Sequence, residues 1–324
     1  MRKAKLEAID ATGRAECGMS TDPSRDPLED VRRHFDELGE REWKRLVQSP
    51  RTLVSLELHR RLLRRFVQPG WRVLEIGAGP GRFTVELATM GTTIVVSDVS
   101  TVQLELNAQK AREAGRESAV EERRVLDVRD LSEIPDRSFD ATVAFGGPIS
   151  YAFEQAERAL SECLRVTQIG GVVLASVMAT IGTMRFFLPL VVEESRQYGM
   201  EVTDAVLRTG DLRHTPADAH RCRMFRWREI LAMIDALPCR LLAASASNAT
   251  SLGEAGALEW FAGEPGRWQR YLDWEEELAQ EPGALDGGTH ILFAVEPLDG
   301  AERGGDVVVS APEAGELPPG GTGG

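Results

Sequence analysis

The sequence predicts an α/β fold in which a mostly parallel sheet is doubly wound by helices. Three observations carry that prediction. Short apolar runs bounded by turn residues alternate with segments of helical periodicity, and several runs are almost unbroken, as strands covered on both faces require. The first run, Val73-Leu74-Glu75-Ile76, passes through Gly77-Ala78-Gly79-Pro80-Gly81 directly into a helical pattern. The next run ends on Asp98, 21 residues beyond Gly77, where such a sheet places an acid beside a bound nucleotide.

Taken in order, residues 29–47 read as a helix with Val31, Phe35, Leu38, Trp43 and Leu46 spaced along it. Residues 53–66 read as a second, with Leu53, Leu56, Leu62, Leu63 and Phe66 apolar and Arg60, Arg61, Arg64 and Arg65 on a solvated face. Strands are expected at 72–76, 93–97, 123–126, 140–145, 172–178, 240–246 and 290–296, the third of them short and charged. Helices separate them. One covers 82–90 and stops at Gly91, one opens with a capping box of Ser100 and Gln103 and stops at Gly115, and one covers 152–166. After Met178 the alternation lapses for ~60 residues, longer than an ordinary connection. Apolar helical material at 184–192 and 230–237 brackets a polar middle, so residues 179–238 are expected to cap the carboxyl ends of the strands.

One domain is thus expected over 28–298: helices at 29–66, a core at 70–178, the cap at 179–238 and the last strands at 239–297. The flanks, 1–27 and 299–324, lack periodicity, and the second ends in PPGGTGG; both are expected to be disordered. Met19, just ahead of the first periodic segment, is an alternative start.

Composition excludes several classes. The formal net charge is −13, and residues 298–324 supply only −4 of it (five acids against Arg303), so the body is acidic and lacks a nucleic-acid footprint. No apolar run approaches the ~20 residues that span a bilayer, and residues 1–18 are not a secretory leader, so the expectation is a cytoplasmic protein with no membrane partner. Cys17, Cys163, Cys222 and Cys239 form no CxxC pair and the five histidines no ligand spacing; neither a disulfide framework nor a metal is expected.

The glycine loop carries the chemistry. A phosphate-binding P-loop would need Gly-Lys-Ser/Thr, and Arg82-Phe83 stand there instead. A dinucleotide fingerprint would need its third glycine at Arg82, whereas the spacing found is Gly77, Gly79, Gly81. Glu75, at the end of the strand, would repel a pyrophosphate and favour a ligand bearing an ammonium and a sulfonium. Loop, Glu75 and Asp98 together point to a cationic nucleoside.

Residues 70–178 resemble the core of class I S-adenosylmethionine-dependent methyltransferases. The resemblance rests on E-x-G-x-G-x-G at 75–81, S-D-V-S at 97–100, L-D-V-R-D-L at 126–131, F-D-A-T-V-A-F-G-G-P at 139–148 and L-R-V-T-Q-I-G-G-V-V-L at 164–174. It implies a seven-stranded, Rossmann-like sheet with the last strand antiparallel, and S-adenosylmethionine as cofactor. By the same resemblance, Glu75 and the backbone of Gly77, Ala78 and Gly79 would hold the methionine part, Asp98 the ribose and Val99 the adenine face. Asp127 and Val128 would hold the adenine edge, and Phe145 and Gly146 would line the pocket floor. The Asn/Asp-Pro-Pro-Tyr/Phe signature of amino-methylases is absent; G-G-P-I-S-Y stands at 146–151, which turns the expectation toward bacterial enzymes acting on metabolites, as does E-W-K-R-L at 42–46.

Two side chains are candidates for the acceptor side. His220, ahead of the 230–237 helix, has an ordinary pKa suited to general-base work, and Tyr151 follows the loop after the fourth strand. His290 reads as a strand-start residue, and Trp43 and Arg45 as either a lid over the cofactor or, for the tryptophan, core. The expected function is methyl transfer by in-line displacement to an oxygen or nitrogen of a small soluble molecule. The alternatives are a non-catalytic S-adenosylmethionine-binding accessory protein and an RNA methyltransferase.

Overall fold

Alternating strands and helices build a single seven-stranded sheet in the computed structural model, which describes residues 26–215, 221–253 and 255–299. The expected terminal segments lie almost wholly outside the described residues, and so does His220. Three helices come first: α1 (Pro27–Leu38), α2 (Glu40–Arg45) and α3 (Pro50–Phe66). Then follow β1 (Arg72–Ile76), α4 (Arg82–Thr89), β2 (Thr93–Asp98), α5 (Thr101–Glu113) and β3 (Val120–Val125). β4 (Phe139–Ala144) leads through the short α6 (Pro148–Tyr151) and α7 (Ala156–Val166) to β5 (Thr167–Met178). The chain leaves the sheet as α8 (Thr180–Phe186), α9 (Leu188–Tyr198) and α10 (Met200–Thr209), then returns through α11 (Trp227–Ala236) to β6 (Cys239–Ala246). Finally α12 (Ala255–Ala262) and α13 (Pro265–Ala279) precede β7 (His290–Pro297).

The strand order is β3-β2-β1-β4-β5-β7-β6. Pairings among β1 to β5 are parallel, and β7 runs antiparallel to both of its neighbours. Side-chain alternation divides each strand between two buried faces. Leu74, Ile76, Val173, Ala175 and Phe293 meet α7 and α11 on one side; Val73, Val143, Phe145, Leu174 and Leu292 meet α3 and α4 on the other. Glu75 shares the second parity, which puts its carboxyl on the α4 side.

Several elements differ from the sequence reading. The helix expected at 29–47 is two helices, because Gly39 takes φ +50° between them. Ser100 does cap α5 by accepting from the Gln103 amide at 3.0 Å, but the capping box is not closed. The Gln103 side chain donates instead to the Phe35 and Gly39 carbonyls, bolting α1 and α2 to the head of α5. The helix expected at 152–166 starts at Ala156, after a 3-10 turn at Phe153–Gln155, and the short α6 lies ahead of it. The expected cap divides: α8 to α10 project from the sheet, whereas Ile230 and Ile234 of α11 pack into the main core, so 227–236 is a sheet-covering helix. α12 and α13 were not anticipated. They pack Leu258, Tyr271 and Leu272 against Val54 and Leu58 of α3.

Two of the α3 arginines, Arg60 and Arg61, are a further correction, whereas Arg64 and Arg65 are exposed as expected. Arg61 is only 13% exposed and pairs with Asp273 at 2.8 Å and Glu276 at 2.5 Å, Arg60 pairs with Glu86, and Arg64 with Glu57 at 2.8 Å. Arg60 and Arg61 thus knit this face to α4 and α13, while the Arg64 pair stays within α3.

Glu275 on α13 anchors the loop after β6. Fully buried, it accepts from the amides of Ala249 (2.8 Å), Thr250 (2.9 Å) and Ser251 (3.0 Å) and from the hydroxyls of Thr250 (2.6 Å) and Ser251 (2.5 Å). Glu275→Ala leaves those donors unpaired at a cost of about 3 kcal/mol. In a domain of this size the melting temperature should fall by roughly 6–12 °C in scanning calorimetry, and an unchanged value would contradict the anchoring role.

Candidate functional site

β1 ends where the backbone must turn sharply. Gly77, Gly79 and Gly81 all adopt positive φ, and a Cβ at Gly77 would lie 2.5 Å from Pro148 Cγ. The loop after β4 therefore rests directly on the loop after β1. Asp98, at the end of β2, fixes the other side: its carboxylate accepts from the Gly79 amide at 2.8 Å and from the Ser100 amide at 2.9 Å.

Beneath the loop lies Glu75. It is 2% exposed and accepts a 2.5 Å bond from the Thr84 hydroxyl of α4, which in turn accepts from Asn107 at 2.7 Å. Above it lies α2, a helix with no buried residue. Arg82 donates to the Trp43 carbonyl and holds its guanidinium 3.8 Å from the centre of the Trp43 ring, while Lys110 pairs with Glu40 at 3.1 Å. The Cγ of Glu42 comes within 4.0 Å of the position a Cβ on Gly79 would occupy. Trp43 is thus half-buried against Arg82 and is not among the core residues.

Charge in this cleft is unbalanced. Burial pushes the Glu75 carboxyl up to about 8, with Thr84 opposing and Asp98 adding repulsion. Burial likewise raises Asp98 to about 6; the Ser100 and Gly79 amides pull it down and Glu42 pushes it up. Arg123 offsets part of the charge at Glu75, and Arg45 on α2 is committed to Glu42 through bonds of 2.7, 2.8 and 3.0 Å. A full countercharge is what these carboxylates lack.

Comparison with known proteins agrees with that geometry. Residues 73–171 match the family described as methyltransferase domain. That match covers 99 of the 324 residues, from β1 into β5. No curated protein matches. Among solved structures, geranyl diphosphate C-methyltransferase from Streptomyces coelicolor is 15% identical, covering 85% of this chain and 100% of its own, with a TM-score of 0.53. A methyltransferase from Methanosarcina mazei is 16% identical over 73% of this chain and 97% of its own, with a TM-score of 0.48. A TehB-like methyltransferase from Corynebacterium glutamicum is 14% identical over 82% and 100%, with a TM-score of 0.47.

The residues of this site fit a ligand that carries a sulfonium and an ammonium, as S-adenosylmethionine does. Gly77 is exposed and Gly79 partly so, and burial holds the two carboxyls beside them above their ordinary pKa. Val99 is half-buried beyond Asp98, as a surface for a flat base would be. Asp127 is nearby in the chain but occupied: it accepts from the Arg129 amide at 2.9 Å and Nε at 2.8 Å, and Val128 is buried. Glu75 departs most from expectation, since strand parity puts it under the loop against Thr84 and away from direct contact with a ligand above. Phe145 is also buried, packed edge-on against Phe83 (5.1 Å between centroids) and His59 (4.9 Å), so it supports the floor while Gly146 is half-open.

On the acceptor side, Tyr151 is 8% exposed, packs edge-on to Phe35 at 5.4 Å, and lies 3.7 Å from the Cβ position of Gly147. Burial raises its pKa well above 10, so its hydroxyl keeps its proton and can donate but not act as a base at neutrality. His290 opens β7, half-buried, 6.3 Å from the ring of His59. His59 and Glu42 went unnoticed in the sequence. His59, three residues after Leu56 and four before Leu63, falls on the apolar stripe of α3, and that position was the available signal. It is 5% exposed, its pKa is pushed down to about 4 by burial, and Nδ1 lies 2.7 Å from the Ser55 carbonyl. A carbonyl can only accept, so Nδ1 carries the proton and Nε2 the lone pair.

The raised carboxyls set a pH signature. Their folded-state values exceed the unfolded ones, so they hold extra protons when folded, and ligand-free stability from these groups falls as pH rises from ~4 toward 8. A bound cation lowers both values and expels those protons. Calorimetry at about pH 7 in buffers of different ionisation enthalpy should therefore show proton release on S-adenosylmethionine binding, with affinity rising from about pH 5 to 8. Buffer-independent heats would contradict this electrostatic account.

Proposed function

We propose that this protein transfers the methyl group of S-adenosylmethionine to a small molecule held between the glycine loop, α6 and the start of β7. The carrying observation is the cleft itself: a positive-φ glycine loop tied to Asp98, set beside two carboxyls whose ionisation burial opposes, and covered by α2. S-adenosylmethionine supplies an activated methyl whose carbon–sulfur bond breaks as the acceptor attacks in line.

The protein's share is binding and alignment. Asp98 would receive the ribose hydroxyls on lone pairs not used by Gly79 and Ser100. Val99 would carry the adenine face, and Asp127 and Val128 its edge. Glu75 acts through its field from below. Tyr151 would orient the acceptor by donating its hydroxyl proton. A small acceptor is supported by the acidic balance of −13, which opposes an RNA or DNA backbone. The geranyl diphosphate C-methyltransferase shares the fold and, by its name, acts on a small molecule, so carbon joins oxygen and nitrogen among acceptor atoms to test.

Incubation of the purified protein with methyl-labelled S-adenosylmethionine and fractionated cell extract tests the reading. Label should appear in the small-molecule fraction; label in RNA or protein would overturn the acceptor class, and no label in any fraction would favour a non-catalytic binding role. Asp98→Ala should weaken cofactor binding by about ten- to a hundredfold, the equivalent of one charge-assisted hydrogen bond. Unchanged affinity in calorimetry would remove Asp98 from the site.

A further inference from the structure

The ion pair on α2 has properties that a surface pair does not need. An i,i+3 pair in solvent contributes little to stability, yet Arg45, its side chain 44% exposed, grips Glu42 with two nitrogens and three short contacts, and the Glu42 side chain is only 12% exposed. The helix carrying the pair buries none of its residues, so core packing does not account for its place. What fixes α2 lies on its other residues: Trp43 under Arg82, Glu40 on Lys110, and the Gly39 carbonyl on Gln103. Those attachments leave Glu42 and Arg45 turned toward the loop.

Their surroundings locate them further. Glu42 stands over Gly79 and is close enough to Asp98 to raise its pKa. Arg45 acts electrostatically on both Tyr151 and His59. The pair thus spans from the glycine loop toward the acceptor side, opposite the end of the cleft marked by Val99 and Asp127. In a nucleoside bound with its ribose at Asp98 and its base beyond, this is where the amino-acid end would lie.

That end is a zwitterion, a carboxylate beside an ammonium, and the α2 pair is its charge complement. We propose that Glu42 and Arg45 receive the amino-acid end of the cofactor, the Arg45 fork taking the carboxylate and the Glu42 carboxylate taking the ammonium. The assignment rests on the reading of the cleft as the S-adenosylmethionine site. Without ligand the two side chains neutralise each other, so no lone charge stands in the cleft. With ligand, one ion pair is exchanged for two and the net charge is unchanged, which limits the desolvation cost of closing α2 over the loop. The planar fork of arginine matches a carboxylate in two bonds, which lysine cannot reproduce.

The test is calorimetric, on the full chain, with three probes: S-adenosylmethionine, decarboxylated S-adenosylmethionine, and 5′-methylthioadenosine, which lacks the amino-acid end altogether. The wild-type protein should bind S-adenosylmethionine at least about tenfold more tightly than the decarboxylated form. Arg45→Gln should lose about tenfold or more toward S-adenosylmethionine and stay within about twofold toward the decarboxylated form, abolishing the discrimination. Arg45→Lys should recover it only in part. Thermal melting within about 2 °C of wild type establishes that the variants are folded. If Arg45→Gln weakens both ligands equally, or neither, the assignment to the carboxylate is wrong. Binding of 5′-methylthioadenosine that depends on Asp98, alongside no effect at Arg45, would overturn this inference and leave the cofactor reading standing. A wild-type protein that binds none of the three would overturn both.

Discussion

The Asp98 carboxylate is shared between two backbone amides, one in the glycine loop and one at the head of α5, and most of what lies above the sheet follows from that sharing. Through Gly79 it sets the loop; through Ser100 it sets the residue that caps α5 and donates its hydroxyl to the Asp36 carboxylate at 2.5 Å. The N-terminal helices are then held by Gln103, one turn further on. A carboxylate at the end of the second strand is therefore a ligand candidate and, at the same time, the joint between sheet, loop and lid. Substitution there perturbs binding and lid placement together, which is why the lid's own contribution has to be read at Arg45.

Burying acids with few partners costs free energy, and a fold tolerates the cost where something else offsets it. Glu75 is a clear instance. Its parity on β1 turns it away from solvent and onto Thr84, where burial opposes its ionisation. Contrast Glu275, equally buried but surrounded by amides and hydroxyls that hold its pKa down. The one carboxyl is satisfied by the fold and serves it; the other, with Asp98, leaves a field that a cationic ligand would complete.

Much of this was legible in the sequence because local rules governed it. The run of apolar strands, the glycine spacing and the acid after the second strand depend on backbone geometry and on faces covered from both sides, and each appears where it was placed. Glu75 was found but its direction was not, since the same strand-end acid can reach up or down and only the register against α4 decides. The capping box failed for a related reason: Gln103 had a local partner available and took a distant one. Arg61 looked solvated because its carboxylates lie more than 200 residues away on α13. α12 and α13 were missed in a stretch whose helical character was not read, and 227–236 was grouped with the cap because nothing local distinguishes a helix packed on a sheet from one packed over it. His59 and the Glu42–Arg45 pair acquire meaning only from what the fold sets opposite them.

The account turns on one orientation, with the nucleoside's ribose at Asp98, its base toward Val99 and Asp127, and its amino-acid end between the glycine loop and α2. A crystal structure of the complex with S-adenosylhomocysteine measures it directly. The account predicts ribose hydroxyls within hydrogen-bond distance of Asp98 and the homocysteine carboxylate on Arg45. Density for the ligand elsewhere, or in this cleft with base and amino-acid ends reversed, would contradict it.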